Sequence, residues 1–133
     1  MSDMPGAAKR PLSPHLQIYR PMLTMMMSIV HRITGCALYF GTLLLVIWLV
    51  AAASSTATFD FVNGLFGSWI GLIVLVGYSW AMIHHLLGGL RHFVWDTGAG
   101  FGPEWRELMA QATIAGSILL TVILWIAVWA LKG

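Results

Sequence analysis

Two groups of polar residues carry the chemistry this chain could perform. Ser28, His31 and Arg32 are spaced i, i+3 and i+4, which places them along one side of a helix. His84, His85, Arg91 and His92 form the second group, in which His85, Gly88, Gly89 and His92 share a helical face at i, i+3, i+4 and i+7. A hydroxyl and a guanidinium one turn apart both donate hydrogen bonds. Such a pair can hold a quinone carbonyl oxygen and stabilise the negative charge that appears there on reduction. An imidazole with glycines one turn away suits a haem, which needs an axial nitrogen and a flat approach that Gly88 and Gly89 would clear. His85 fits that role better than His84 because it shares the glycine face. Blander readings stand beside these. The histidines could pack at a close glycine contact, Ser28 could bond back to its own helix, and Arg32 could snorkel towards headgroups. A histidine metal site finds no His-x-x-x-His spacing and no acidic partner in the sequence.

The elements that must position these groups are membrane helices. Of 133 residues, 9% are charged and 59% are apolar, with a mean hydropathy of +0.82, so an ordinary water-soluble domain of this size is excluded. Each crossing takes roughly 20 mainly apolar residues, which allows three spans and not four. They are expected at about residues 24–53, 65–95 and 107–131, in a single all-α membrane-anchor domain covering 1–133. Pro21 suits the start of the first helix. Residues 54–63 and 96–104 read as loops from their Ser, Thr, Asp, Gly and Pro content.

Orientation follows from the cations. Lys9, Arg10 and Arg20 precede the first span and Arg91 and Arg106 border the second connection, whereas the first connection carries only Asp60. The N-terminus is therefore expected on the cytoplasmic side, with Lys132 as one charge against the rule. Residues 1–14 lack the apolar core of a signal peptide and the Arg- and Ser-rich character of a transit peptide, which favours a bacterial inner membrane over a mitochondrial one. A net charge of +2, scattered along the chain, gives no footprint for nucleic acid. The single Cys36 excludes an internal disulfide and is expected to be a buried small residue. Met25 to Met27 are expected to fill gaps between helices, Gly98, Gly100 and Gly102 to make turns, and the Gly67 to Gly71 pair to be a possible packing face.

Consecutive spans run antiparallel, so the start of the first and the end of the second meet at one side of the membrane. Both polar groups then converge near one leaflet, a placement that argues against two haems stacked across the bilayer. Ionisable groups at that depth are costly and usually functional.

The run Arg10-Pro-Leu-Ser-Pro-His-Leu-Gln-Ile-Tyr19, followed by Ser28-Ile-Val-His-Arg-Ile-Thr-Gly35, resembles the N-terminal signature of the cytochrome b membrane-anchor subunits of succinate dehydrogenase, respiratory complex II. His85-Leu-Leu-Gly-Gly-Leu-Arg-His-Phe-Val-Trp-Asp96 resembles the second signature of that family. The resemblance implies a three-helix anchor forming part of a bundle with a second small membrane subunit, and docking the iron–sulfur and flavoprotein subunits that oxidise succinate. It implies that His85 is the axial ligand of a haem b shared with the second anchor. Ser28 and Arg32 would line a ubiquinone pocket, His31 and Arg32 would lie near the haem propionates, and Arg91 and His92 would support the haem edge. The chain alone would catalyse nothing. Two alternatives are an anchor of a fumarate reductase and a haem-free membrane scaffold or transporter.

Overall fold

The computed structural model describes residues 20–132. The quoted run from Arg10 to Tyr19 lies outside the described residues. Four helices account for nearly all of the rest: α1 Leu23–Ser54, α2 Thr56–Gly67, α3 Trp69–Asp96 and α4 Pro103–Lys132. Three of them, α1, α3 and α4, are long and apolar enough to cross a membrane by length and composition. At 1.5 Å per residue their 32, 28 and 30 residues reach about 42–48 Å, more than the roughly 30 Å of hydrocarbon, so each has turns to spare for tilt or for the headgroup layers.

The local signals for the ends are familiar ones. Met22 caps α1 with extended backbone just after Pro21, and Pro103 occupies the first position of α4, where its missing N–H costs nothing. Ser68 caps α3 by accepting from the Gly71 N–H at 3.2 Å. Gly98 and Gly100 take positive φ values of 81° and 76° in the α3–α4 connection, as turn residues should.

One expected loop is a helix. The composition of residues 54–63 predicts a connection, yet α2 begins at Thr56 and takes in Leu65 to Gly67, residues that hydropathy assigns to the second span. Ser55 explains it: the hydroxyl accepts from the Thr58 N–H at 3.2 Å, so a residue counted as a loop former is a helix cap. Gly71 serves the tight turn between α2 and α3, because a Cβ there would overlap the Leu65 and Phe66 carbonyls. That accounts for one half of the Gly67–Gly71 pair, and nothing approaches Gly67.

The long helices pack antiparallel. His31 meets Gly88, Gly35 meets His85 and Gly41 meets Tyr78, a descending register between α1 and α3. His84 meets Ser117 and Leu87 meets Gly116, the same pattern between α3 and α4. α3 is thus the central element, and α4 presents Ala110, Thr113, Ser117 and Thr121 to the interior as a small-residue stripe. Thr113 and Thr121 satisfy their hydroxyls on their own helix, to Met109 and Ser117 carbonyls at 2.7 Å each. Little of the apolar surface is covered: Met27, Ala51, Ala81 and Ala110 are the buried apolar residues among those described. Met27 alone of the three consecutive methionines fills the interior, and Cys36, expected inside, is exposed.

Candidate functional site: an imidazole cluster between α1 and α3

The antiparallel register brings three histidines together at the end of the bundle where α1 starts and α3 finishes. The His31 and His85 rings stack with centroids 3.9 Å apart and planes 5° from parallel, and His92 approaches His31 at 5.3 Å. His92 in turn meets Trp95 edge-on at 5.1 Å. This close approach depends on glycine. A Cβ at Gly88 would fall 2.5 Å from His31 Nδ1, and one at Gly35 would fall 3.0 Å from His85 Cε1. Gly88 therefore clears space for the His31 ring of the neighbouring helix. Gly89, the other half of the expected flat surface, has nothing within 4 Å.

Hydrogen bonding fixes the His85 tautomer. Its Nδ1 lies 3.2 Å from the His31 carbonyl oxygen and 3.3 Å from Thr34 Oγ1. A carbonyl only accepts, so Nδ1 carries the hydrogen and donates. The Thr34 hydroxyl is committed as donor to the Val30 or His31 carbonyl, each at 3.0 Å, and so accepts from His85. Nε2 is left as the lone-pair nitrogen, and among the described residues nothing bonds to it.

His84 is oriented quite differently, although it is the adjacent residue. It is 1% exposed and points towards α4, where its Nδ1 lies 3.1 Å from Ser117 Oγ. The Ser117 hydroxyl donates to the Ile114 carbonyl at 2.9 Å, so it accepts from His84. His84 Nε2 is then a buried acceptor without a partner, beside the Trp80 ring at 5.1 Å.

The first polar group divides. Ser28 and Arg32 are exposed on the outside of α1, while His31, 100° away from Arg32 around the helix, faces α3. Ser28 makes no hydrogen bond among the described residues, unlike Thr42, Ser79 and Thr113, which bond back to their own helices. Arg91 is 6% exposed, lies over the Trp95 ring at 5.1 Å, and has an unpartnered Nε. No carboxylate pairs with it among the described residues. A nearly sealed cation of this kind is costly unless an anionic or polar group partners it. The structure thus gathers His31, His85 and His92, leaves Ser28 and Arg32 on an adjoining outward face, and places Arg91 inside. Sequence reasoning missed Thr34; a hydroxyl three residues after His31 in an apolar span was the available signal.

A three-span helical membrane protein with an oriented imidazole and an outward hydroxyl–guanidinium pair has the architecture of a membrane subunit that works within a larger assembly. Residues 7–130 match the family described as Succinate dehydrogenase/Fumarate reductase transmembrane subunit, and the chain belongs to that family. It is 48% identical over 123 residues to the succinate dehydrogenase cytochrome b556 subunit of Paracoccus denitrificans, covering 92% of this chain and 94% of that one. It is 39% identical over 118 residues to the cytochrome b556 subunit of Rickettsia conorii, covering 89% and 92%. The mitochondrial succinate dehydrogenase cytochrome B subunit of Schizosaccharomyces pombe is 39% identical over 116 residues, which are 83% of this chain and 64% of that protein.

Proposed function

We propose that this chain is the membrane-anchoring, haem b-binding subunit of a succinate:ubiquinone oxidoreductase, sharing its haem with a second small anchor and docking the iron–sulfur and flavoprotein subunits in a bacterial inner membrane. The observation that carries the haem reading is the His85 hydrogen bonding: Nδ1–H is held by α1, and Nε2 is free to bind iron. The residues present fit the group, since Gly89, one turn along α3 from His85, has open space where a side chain would stand. Bound there, a haem would supply a one-electron redox centre. His85 would be its ligand from this chain. His31 would orient the His85 ring by stacking and through its carbonyl oxygen. Arg32 with His31, and Arg91 with His92, would give the propionate edge its cationic and donor partners.

Ser28 and Arg32 would act on ubiquinone directly. Both face outward and both are donors without partners among the described residues, so a carbonyl oxygen of the substrate can accept from them together. Reduction takes two electrons and two protons and places negative charge on that oxygen, where the guanidinium and hydroxyl stabilise it. The names of the relatives favour succinate dehydrogenase over the fumarate reductase and scaffold readings.

The test compares two activities of the purified complex. Ser28→Ala and Arg32→Ala should each lower quinone reduction by about ten-fold or more, equivalent to roughly 1.4 kcal/mol or more, while succinate oxidation by an artificial dye continues. Equal loss of both activities would assign the residues to assembly instead. The cation distribution also supports a cytoplasmic N-terminus. An alkaline phosphatase fused after Lys132 should accordingly be active, and an inactive fusion would reverse the topology.

A further inference from the structure

We propose that Thr34 is a positioning residue for His85: its buried hydroxyl holds the Nδ1–H edge of the imidazole against α1 and thereby leaves Nε2 as the nitrogen able to bind iron. The inference rests on the haem reading above and assigns Thr34 a role within it. Thr34 is 2% exposed, and its β-branched side chain has few rotamers inside a helix. Its O–H is spent on the Val30 or His31 carbonyl, so the lone pair that remains faces His85 Nδ1 at 3.3 Å. The His31 carbonyl shares the same N–H at 3.2 Å, making a three-centre bond whose two acceptors both belong to α1.

The neighbouring imidazole provides an internal comparison. His84 Nδ1 is likewise fixed by a hydroxyl from another helix, Ser117 of α4. There the arrangement turns Nε2 into the sealed interior. The same device on the α1 side leaves His85 Nε2 outside that set of buried, unpartnered atoms. Which hydroxyl each histidine finds therefore decides which one can act as a ligand. Of the two groups holding His85, the carbonyl survives any side-chain substitution, so Thr34 is the part that can be removed.

The experiment uses the intact complex purified from membranes, with Thr34→Val, which keeps the shape and removes the hydroxyl, and Thr34→Ser, which keeps the hydroxyl. Three quantities are read: the reduced-minus-oxidised optical spectrum, the low-temperature paramagnetic resonance of the ferric haem, and its midpoint potential. Thr34→Val should shift the resonance and the potential, or lose the haem, while Thr34→Ser stays near the unsubstituted complex. A Thr34→Val complex with unchanged resonance and potential would overturn the proposal, as would a Thr34→Ser complex altered as much as Thr34→Val, since packing would then be the cause. Failure of the haem reading itself looks different: the unsubstituted complex would lack a haem b spectrum, or His85→Ala would leave that spectrum unchanged.

Discussion

At the residue scale, the adjacent pair His84 and His85 is separated by the helix alone. One residue along α3 turns the side chain by 100°, sending His84 into the α4 seam and His85 over Gly35 and His31. Substituting them should therefore produce opposite outcomes. His84→Ala removes a buried ring and leaves Ser117 without its donor, at a cost of about 1–3 kcal/mol, so the complex should lose activity at a lower temperature but keep its haem spectrum. His85→Ala should abolish that spectrum. Thermal inactivation curves and difference spectra recorded on the same two preparations would distinguish the two roles. Retention of haem in His85→Ala with loss in His84→Ala would exchange the assignments. The sequence singles out His85 from His84 by its glycine face, but it does not show what those glycines do. Gly88 and Gly35 admit imidazoles from the facing helix, a relation between two spans that spacing within one cannot reveal.

At the element scale, the α1–α3 seam is built by rings seated over glycines: His85 over Gly35, Tyr78 over Gly41 and His31 over Gly88. The cluster geometry depends on how closely these helices approach. Adding a methyl group at Gly88 forces the His31 ring to move, and overpacking of this kind costs about 1–3 kcal/mol. Gly77, on the same helix, has nothing within 4 Å, so alanine there meets no such obstacle and gains helix propensity of roughly 1 kcal/mol. Gly88→Ala should lower both the thermal stability and the haem content of the complex, whereas Gly77→Ala should leave haem content unchanged. Equal effects would mean that the seam does not set the site. The three long helices were readable from hydropathy because each carries an uncharged run. α2 was not, because its first eight residues intersperse Thr56, Thr58, Asp60 and Asn63 with apolar ones and follow Ser54 and Ser55, so that the stretch reads as a loop unless Ser55 is recognised as a cap. The partition of Ser28 and Arg32 from His31 was also hidden, since i, i+3 and i+4 describe one broad side of a helix whose edges meet different neighbours.

At the scale of the whole molecule, the chain covers very little of itself. Tyr39, Phe40, Leu43 and Val50 on α1 are all more than half exposed, far beyond what three helices could present to water. Lipid can cover apolar side chains, but it offers no partner to hydroxyl or guanidinium groups, and one side of α1 carries Ser28, Arg32, Cys36 and Tyr39 within a 100° arc. In the assembly proposed above, that side faces protein, and the remaining apolar faces meet the bilayer. Cys36 reports on this directly, because it is exposed in the chain and is the sole cysteine. A membrane-permeant maleimide should label Cys36 in the subunit expressed without its partners and label it several-fold more slowly in the assembled complex. Equal labelling in the two states would place this side of α1 against lipid, and the partners that complete the Ser28–Arg32 site would then have to approach from the N-terminal end of the helix.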